Sequence, residues 1–377
     1  MSSSICIFTH HYHPQLSGIG NFVDCLAHAL TARGDRVVIV TNDSMRVGVG
    51  HSVENGLEVI RLPCIPLLDG RLPLPKKTSD YYRLLQTLDD YEWNGVLINT
   101  RLFPLSLEGL KFAADHSAKA VVLDHGSAYL SFNQPFLDYF VRRYEDWITD
   151  RVKSFEPDFY GISSKSVEWL QHFNITAKGV ISNSINASFY RSISSGRDFR
   201  SELGIPQSSL VVAFVGRLIP EKGIYSIIEA ARTKAVTPDE VKDHIDRMGS
   251  TPFVFAGDGP LANEVKEACS SNLFWLGRCN TEDISSLLQQ ADVLCLPTRS
   301  EGFSTVLLEA SACGTPAVVT DVGGARELIL DDSYGTIIRS MASDEVVSAL
   351  CRLFDDRKLL SLQSRNSRAL VENRYNW

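Results

Sequence analysis

The sequence predicts an α/β protein of two domains, each built on a parallel sheet. Short apolar runs alternate with amphipathic helical patterns almost from end to end, and helices between strands are typical of parallel sheets. The chain has 377 residues, enough for two hydrophobic cores, and its 44% hydrophobic content is that of an ordinary globular enzyme. A polar, serine-rich stretch broken by Gly and Pro separates the two halves. We therefore expect two cores with a cleft between them and ligands at the carboxyl ends of the strands.

The first half opens with a strand, a helix and a second strand. SICIFTH and RVVIVTND flank the amphipathic NFVDCLAHALTARG, which stops at Gly34. Further strands are predicted at GLEVIRLP, GVLINTR, AVVLDHG and DFYGISS, with helices around 80–91, 106–117, 134–154 and 164–172. The pattern predicts a first domain over residues 1–185 and a linker over residues 186–208.

The second half repeats the alternation. Its predicted strands are SLVVAFVG, PFVFAG, LFWLG, DVLCLP and PAVVT, and its predicted helices begin at Lys222 and at Leu261 and include TEDISSLLQQA and TVLLEASAC. TKAVTPDEVKDHIDRMGSTP is predicted to be an inserted helix and loop. These elements predict a second domain over residues 209–355, followed by a helical segment over residues 356–377.

Composition excludes several classes of protein. Eight cysteines without a Cys-x-x-Cys spacing indicate reduced thiols in the cytosol, and neither a disulfide framework nor a zinc site. No apolar run approaches the roughly 18 residues of a membrane-spanning helix. The net charge of −8, concentrated in the second half, argues against a nucleic-acid partner. We expect a cytoplasmic protein.

Two cations in the second half are spaced to bind a diphosphate. Arg217 follows the strand VAFVG, and Lys222 lies five residues further on, where a helix is predicted to begin. A guanidinium fork, a mobile ammonium and free helix N–H groups together suit phosphate oxygens. The backbone N–H groups of residues 302–305, at the start of TVLLEASAC, are expected to face the same ligand. The alternative is a pair of surface cations beside Glu221.

Two glutamates flank that second helix start. Glu301 is predicted to lie in the loop and Glu309 one turn inside the helix. A carboxylate that accepts from neighbouring hydroxyls suits a ribose diol, and a second one suits sugar hydroxyls. The alternative is that Glu301 caps the helix while Glu309 lies on a solvated face.

The order of these motifs carries a family resemblance. FVGRLIPEKG, FAGDGP, FWLGR and PTRSEGFSTVLLEASACGTPAVVTDVGGARELI closely resemble the donor-binding domain of the GT-B retaining glycosyltransferases of family 4, the glycosyl transferases of group 1. The resemblance implies two Rossmann-like domains facing a central cleft, with residues 1–185 binding the acceptor and residues 209–355 binding a nucleotide-sugar donor. It also implies that Arg217 and Lys222 bind the diphosphate, Glu301 the sugar and Glu309 the ribose. The remaining donor contacts that we expect are Gly216, Gly277, Cys279, Gly302, Phe303, Ser304 and Thr305.

The first domain supplies two further candidates. HYHPQLSGIGNFV opens the first helix, and its glycines permit close approach of a ligand, although a tight turn explains the same pattern. The resemblance implies a phosphate contact at Gly18, with Ser17 where the family usually has glycine. His125 is predicted at the carboxyl end of AVVLDHG, where the resemblance implies a hydrogen bond to the donor sugar. Asp124 is expected to point to the opposite side of the strand.

Metals and cofactors are not expected. His10, His11 and His13 lack an acidic partner at ligand spacing, and the resembling enzymes use Arg and Lys in place of a cation. The resemblance implies retention of configuration by same-face attack, with His125, Arg217, Lys222 and Glu301 as the catalytic set. It also implies that the final helix, around ENRYNW, is short or cut off.

The expected activity is transfer of a sugar from a UDP- or GDP-sugar to a glycan, lipid-linked or small-molecule acceptor, in the biosynthesis of cell-surface polysaccharides or glycoconjugates. Two alternatives remain open: a sugar-nucleotide epimerase or hydrolase, and a non-catalytic sugar-nucleotide-binding protein. LDYFVRRYEDWITDRVKSF and RLPLPKKTSDYYRLL mix basic with apolar residues, which suits peripheral contact with the inner face of a membrane. The alternative for the first of these is a core helix with Glu145, Asp146 and Asp150 on a solvated face.

Overall fold

The computed structural model describes residues 2–14, 18–67, 70, 72–130, 134–232 and 251–377 and divides the chain into two compact units. The first unit runs to Asn183 and includes Trp377, and the second runs from Ser184 to Asn376. Each unit has a mainly parallel sheet with intervening helices, so the predicted α/β class is confirmed. The predicted insertion TKAVTPDEVKDHIDRMGSTP lies outside the described residues except for its last two.

The first unit is organised around an eight-stranded sheet with the order β10-β9-β8-β7-β1-β2-β4-β3, in which only the β3–β4 pairing is antiparallel. A separate antiparallel pair is formed by β5 and β6. The strands are β1 (Ser4–Thr9), β2 (Arg36–Asn42), β3 (Gly50–Glu54), β4 (Leu57–Leu62), β5 (Cys64–Leu67), β6 (Leu72–Pro75), β7 (Gly95–Asn99), β8 (Lys119–Asp124), β9 (Asp158–Gly161) and β10 (Gly179–Val180).

Helices pack against this sheet and cover its apolar strands. They are α1 (Gly18–Ala32), α2 (Ser79–Gln86), α3 (Pro104–Asp115), α4 (Pro135–Lys153) and α5 (Ser164–Gln171). The core contains Phe8, Val40 and Ile98 from central strands and Leu110 and Leu170 from helices. Because the central strands are covered by helices, they are continuous apolar runs, which is why the sequence reveals them. The helix predicted around 80–91 ends earlier than expected, at Gln86.

The second unit is built on a six-stranded, wholly parallel sheet with the order β13-β12-β11-β14-β15-β16. Its strands are β11 (Val212–Val215), β12 (Phe253–Ala256), β13 (Leu273–Trp275), β14 (Val293–Leu296), β15 (Ala317–Thr320) and β16 (Thr336–Ile338). Its helices are α6 (Ala187–Ser192), α7 (Phe199–Glu202), α8 (Ile224–Arg232), α9 (Ala262–Ala268), α10 (Thr281–Gln290), α11 (Thr305–Cys313), α12 (Ala325–Leu328), α13 (Ser343–Asp355) and α14 (Arg357–Arg374).

The stretch predicted to be a linker, residues 186–208, is instead part of the second unit. It carries α6 and α7, which pack against α10 and α11. The Arg191 guanidinium donates to the carbonyl of Ala312 at 2.7 Å, and the Ser285 hydroxyl donates to the carbonyl of Tyr190 at 2.7 Å. The sequence pattern did not predict this packing because the stretch is polar and few of its side chains are apolar.

The segment predicted to be helical over residues 356–377 contains a helix, α14. α14 has 18 residues and packs on α11, and its Ser364 hydroxyl donates to the carbonyl of Gly314 at 2.6 Å. Among the described residues, no helix combines the length and the apolar content needed to cross a membrane.

Candidate functional site

Arg217 lies at the carboxyl edge of the six-stranded sheet, just beyond β11. The backbone is fixed there because the Leu218 N–H donates to the carbonyl of Asp258 at 3.0 Å, beyond the neighbouring β12. The Arg217 side chain is exposed, and its guanidinium makes no ion pair or hydrogen bond with any residue that the structure describes. Arg217 is thus available to an anionic ligand at the edge where parallel sheets bind ligands.

Lys222 ends a single 3-10 turn, Pro220–Lys222, that precedes α8. The next residue, Gly223, is left-handed (φ +71°), and a Cβ there would lie 2.2 Å from the carbonyl oxygen of Pro297. Only glycine therefore lets this turn approach the loop after β14. The carbonyl of Glu221 accepts from the Arg299 N–H at 2.7 Å, which fixes the turn against that loop.

The predicted phosphate cation and the predicted sugar carboxylate are brought together. The Lys222 ammonium forms an ion pair with the Glu301 carboxylate, and the two side chains are 19% and 21% exposed. Partial burial strengthens such a pair relative to one in open water. The two side chains stabilise each other, so an anion that binds Lys222 competes with Glu301.

Residues 302–305 form the N-terminus of α11. The Ser304 hydroxyl accepts from the Leu307 N–H at 3.4 Å, so Ser304 is the N-cap, and the alternative that Glu301 caps the helix is wrong. Phe303 is buried, with its ring 5.9 Å from that of Tyr375, and the carbonyl of Gly302 accepts from the Gly324 N–H at 3.0 Å. A helix N-terminus favours negative charge, and this one is held rigidly.

The turn Gly323–Gly324 after β15 supports this loop, and the sequence reasoning gave it no role. Gly323 is left-handed (φ +51°), and a Cβ there would lie 2.4 Å from the carbonyl oxygens of both Glu301 and Gly302. The signal was present in DVGG, which places two glycines directly after a strand.

Glu309 is half-buried on α11, so the alternative of a solvated face is wrong. Burial raises the pKa of Glu309 to about 7, and the Tyr190 hydroxyl offsets part of that rise. Tyr190 itself is 5% exposed on α6. The sequence reasoning missed Tyr190 because it had placed that residue in a linker.

The two predicted base contacts, Gly277 and Cys279, lie next to each other. Gly277 belongs to the sheet edge, since its carbonyl accepts from the Gly257 N–H at 2.8 Å. The Cys279 thiol lies 3.8 Å from the carbonyl of Gly277, and burial raises its pKa. Within the described part of the chain, no contact joins Cys279 to Lys222 or to either glutamate.

In the first unit, Gly18 is the first residue of α1, and a Cβ there would meet no atom within 4 Å. The preceding Ser17 lies outside the described residues. His125 follows β8, and its Nε2 lies 3.0 Å from the amide oxygen of Asn99, the last residue of β7. Burial lowers the pKa of His125 to about 3, so its imidazole is neutral at physiological pH.

Asp124 does not share a hydrogen-bond partner with His125. It pairs with Arg101, which also pairs with Glu145 of α4, and each of these three side chains is at most 2% exposed. Burial raises the pKa of Glu145 to about 7, against the opposing effect of Arg101. The alternative that placed Glu145, with Asp146 and Asp150, on a solvated face of α4 is therefore wrong for Glu145.

The rings of His10 and His11 lie against each other, with centroids 4.2 Å apart, and each of the three histidines near the N-terminus has a further partner. His10 stacks on Phe103 with ring centroids 3.6 Å apart, and the His11 Nε2 lies 2.8 Å from the carbonyl of Gly70. The His13 Nε2 lies 3.9 Å from Asp24. In the described ranges, no three His, Cys, Asp or Glu side chains are arranged to hold a metal ion.

Comparison with known proteins finds similarity to one family within the second unit. Residues 196–370 match the model of the family described as Glycosyl transferases group 1. The chain is 32% identical over 207 residues to the UDP-Gal:alpha-D-GlcNAc-diphosphoundecaprenol alpha-1,3-galactosyltransferase of Escherichia coli. That match covers 52% of this chain and only 50% of the relative.

Solved structures match both units. Sucrose-phosphate synthase from Thermosynechococcus elongatus superimposes with a TM-score of 0.74 at 18% identity, covering 100% of this chain and 95% of that one. HepE from Anabaena, solved in complex with UDP, gives a TM-score of 0.70 at 18% identity over 99% and 96% of the two chains. The predicted GT-B fold, with two Rossmann-like domains, is confirmed.

Proposed function

We propose, from the match of residues 196–370 to the group 1 glycosyl transferases, that the chain is a retaining, metal-independent glycosyltransferase of family 4. It transfers a sugar from a UDP- or GDP-sugar to a glycan, lipid-linked or small-molecule acceptor. The expected pathway is the synthesis of cell-surface polysaccharide or glycoconjugate. The observation that carries the proposal is the grouping of Lys222, Glu301 and the N-terminus of α11 at one sheet edge beside Arg217.

This edge suits each part of a nucleotide sugar. Arg217, whose guanidinium makes no contact with a described residue, and the N–H groups at the start of α11 suit the two phosphates. Glu309 is four residues further along the same helix and accepts from the ribose hydroxyls. Glu301 serves the sugar once the phosphates have drawn Lys222 away from it. Gly216, Gly277 and Cys279 complete the donor contacts, with the last two near the base.

Bond cleavage in such a donor leaves negative charge on the departing diphosphate. Arg217 and Lys222 stabilise that charge in the place where other enzymes use a metal ion. Glu301 is paired with Lys222 and Asp124 is buried against Arg101, which argues against either as a nucleophile on the sugar. We therefore favour same-face attack, in which the departing phosphate accepts the acceptor's proton. Gly18 and His125 of the first unit contact the phosphates and the sugar, respectively.

The central test is an assay of nucleoside-diphosphate release and donor binding over a panel of UDP-, GDP- and other NDP-sugars, with and without EDTA. The proposal requires at least one donor to bind, and Arg217→Ala to weaken that binding. Sugar release without an acceptor would instead identify a hydrolase, and conversion to another NDP-sugar would identify an epimerase. Binding without any turnover in the presence of glycan and lipid acceptors would favour a regulator. If no donor binds, the proposal is wrong.

Peripheral membrane contact through α4 is part of the same proposal. Spacings of three and four residues place Phe136, Tyr139, Phe140, Arg143 and Trp147 on one exposed face. Phe136 is 79% exposed and Trp147 is 52% exposed, and the Arg151 guanidinium lies 5.3 Å from the Trp147 ring. The helix directs Asp138 and Glu145 into the protein, so that the exposed face is aromatic and mainly basic.

Aromatic rings beside arginines suit the interface of an anionic bilayer. The second candidate segment suits it less well, since Lys77 pairs with Glu108 at 2.8 Å and Tyr81 is buried. The eight cysteines are free thiols, which supports a location on the reducing, cytoplasmic side.

Sedimentation with vesicles at low salt tests the contact. Wild type should bind vesicles that contain phosphatidylglycerol and not vesicles of phosphatidylcholine alone, and Trp147→Ala should weaken that binding. Tyr82→Ala is the control, because Tyr82 is 50% exposed on α2. If wild type does not bind anionic vesicles, or if both variants lose binding equally, α4 is not the contact surface.

A further inference from the structure

Asn99 and His125 occupy the ends of adjacent parallel strands in the first unit. Asn99 pairs with Leu123 in the β7–β8 register, so its side chain lies next to the residues that follow β8. Its amide oxygen lies 3.0 Å from Nε2 of His125. Asn99 is 1% exposed, so water does not compete for this hydrogen bond.

The hydrogen bond between Asn99 and His125 determines which imidazole nitrogen can accept a hydrogen bond from a ligand. An amide oxygen only accepts hydrogen bonds, so the His125 Nε2 must carry the proton and Nδ1 must carry the lone pair. Among the described residues, no side chain or backbone group hydrogen bonds to Nδ1. The neutral ring therefore has one committed nitrogen and one nitrogen available as an acceptor.

Two further features restrict this arrangement. Phe22 of α1 meets the imidazole edge-on, with ring centroids 5.4 Å apart, which limits rotation of the ring. The other amide atom of Asn99, Nδ2, is buried and has no hydrogen-bond partner in the part of the chain that the structure describes. A buried donor that has no partner is uncommon and is often found at functional sites. Among the described residues, the hydrogen bond to His125 is thus the one that the Asn99 side chain makes.

We propose that Asn99 is a positioning residue, which fixes the tautomer and orientation of His125 so that Nδ1 accepts a hydrogen bond from a hydroxyl of the transferred sugar. This inference rests on the proposed function, because it takes His125 as the sugar contact. It adds two points to that function. Asn99 determines which nitrogen of His125 donates and which accepts, and the sugar group that His125 recognises is a hydroxyl that donates a hydrogen bond.

Titratable neighbours of the ring must be considered in any test that varies pH. His10, at the end of β1, lies close enough to affect His125 electrostatically, and burial keeps the pKa of His10 well below its ordinary value. Asp124, Arg101 and Glu145 form the buried cluster beside it. Glu145 has a pKa near 7, but it is common to the wild type and to every variant used here.

Asn99→Asp and Asn99→Ala separate positioning from folding. The aspartate keeps the acceptor but adds negative charge, which favours a protonated imidazole, so kcat should acquire a pH dependence between 5 and 8 in addition to any that wild type shows. The alanine should lower kcat roughly 10- to 100-fold with little change in donor KM, because the donor-binding groups of the second unit are untouched. Nitrogen-15 NMR of His125 should show the Nε2–H tautomer in wild type and a mixture in the alanine variant.

Asn42→Asp is the matched control. Asn42 ends β2 and is 2% exposed, and among the described residues its side chain neither has a hydrogen-bond partner nor contacts His125. The inference is overturned if wild-type His125 is the Nδ1–H tautomer, or if Asn42→Asp reproduces the new pH profile. His125→Ala distinguishes a failure of the proposed function from a failure of this inference. If His125→Ala keeps full activity, the proposed role of His125 is wrong. If His125→Ala loses activity and Asn99→Ala does not, only the inference about Asn99 is wrong.

Discussion

Replacing Glu301 with Gln should have opposite effects on a nucleoside diphosphate and on the corresponding nucleotide sugar. Lys222 is paired with Glu301 in the unliganded protein, so a diphosphate that binds Lys222 must displace a carboxylate. Gln has nearly the same shape as Glu but no charge, so it removes this competition. It also weakens any hydrogen bonds that the carboxylate makes to the sugar.

The magnitude follows from the burial of the pair. Two unit charges 4 Å apart attract by about 4 kcal/mol at an effective dielectric constant of 20. Because both side chains are about one-fifth exposed, and because desolvation cancels much of the attraction, we expect a net competition of about 1–2 kcal/mol. The free diphosphate should therefore bind to Glu301→Gln roughly 5- to 30-fold more tightly than to wild type.

Isothermal titration calorimetry with UDP and GDP measures the first effect, and the turnover of the preferred donor measures the second. Asp258→Asn is the control, because it removes one negative charge from the same sheet edge, and among the described residues the hydrogen bond of its carboxylate is with its own loop, at the Gly259 N–H. Equal weakening of the diphosphate and the nucleotide sugar in Glu301→Gln would refute the reasoning, as would tightening of equal size in the control.

Three further predictions concern the same unit. Because Glu309 has a pKa near 7 and must be ionised to accept from ribose, donor KM should rise about tenfold from pH 8 to pH 6, whereas Glu309→Gln should show a higher KM without that dependence. Gly323→Ala should lower kcat/KM because its Cβ would displace the loop at Glu301. Gly196 has a similar φ of +73° but open space around it, so Gly196→Ala should cost only roughly 1–2 kcal/mol of unfolding free energy. EDTA should leave the rate unchanged within experimental error.

Each of these predictions has a contrary outcome. A flat pH profile of donor KM in wild type would contradict an ionised ribose contact at Glu309. Equal losses of kcat/KM in the two glycine variants would mean that backbone strain alone, and not displacement of the Glu301 loop, explains the effect at Gly323. A rate that EDTA abolishes and Mg²⁺ or Mn²⁺ restores would show that Arg217 and Lys222 do not replace a metal ion.

Sequence reasoning found the elements whose signal is local. β2 and β14 are buried apolar runs, and α11 spans Thr305–Cys313, which is the predicted TVLLEASAC. β3 escaped detection because it is a short, largely exposed strand at the sheet edge. α6 and α7 escaped because their buried residues are sparse within a serine-rich stretch.

Residue spacing along the chain could not reveal the pairings within the candidate sites. Lys222 and Glu301 are 79 positions apart and meet because the sheet order places β14 beside β11. Asn99 and His125 meet because β7 and β8 are neighbours. A motif predicts that one side chain is functional. The order and register of the strands determine which other side chain it contacts.

Because α6 packs on α11, the two helices should be kept together when domains of such enzymes are separated or exchanged. Tyr190 and Arg191 are upstream of residue 209, the start of the second domain suggested by sequence, yet they contact the helix that carries Glu309. A chimera that exchanged donor specificity at residue 209 would combine a foreign α11 with the host's α6. The transferable module begins at Ser184, and a crossover placed there keeps the ribose carboxylate with the tyrosine that tunes its acidity.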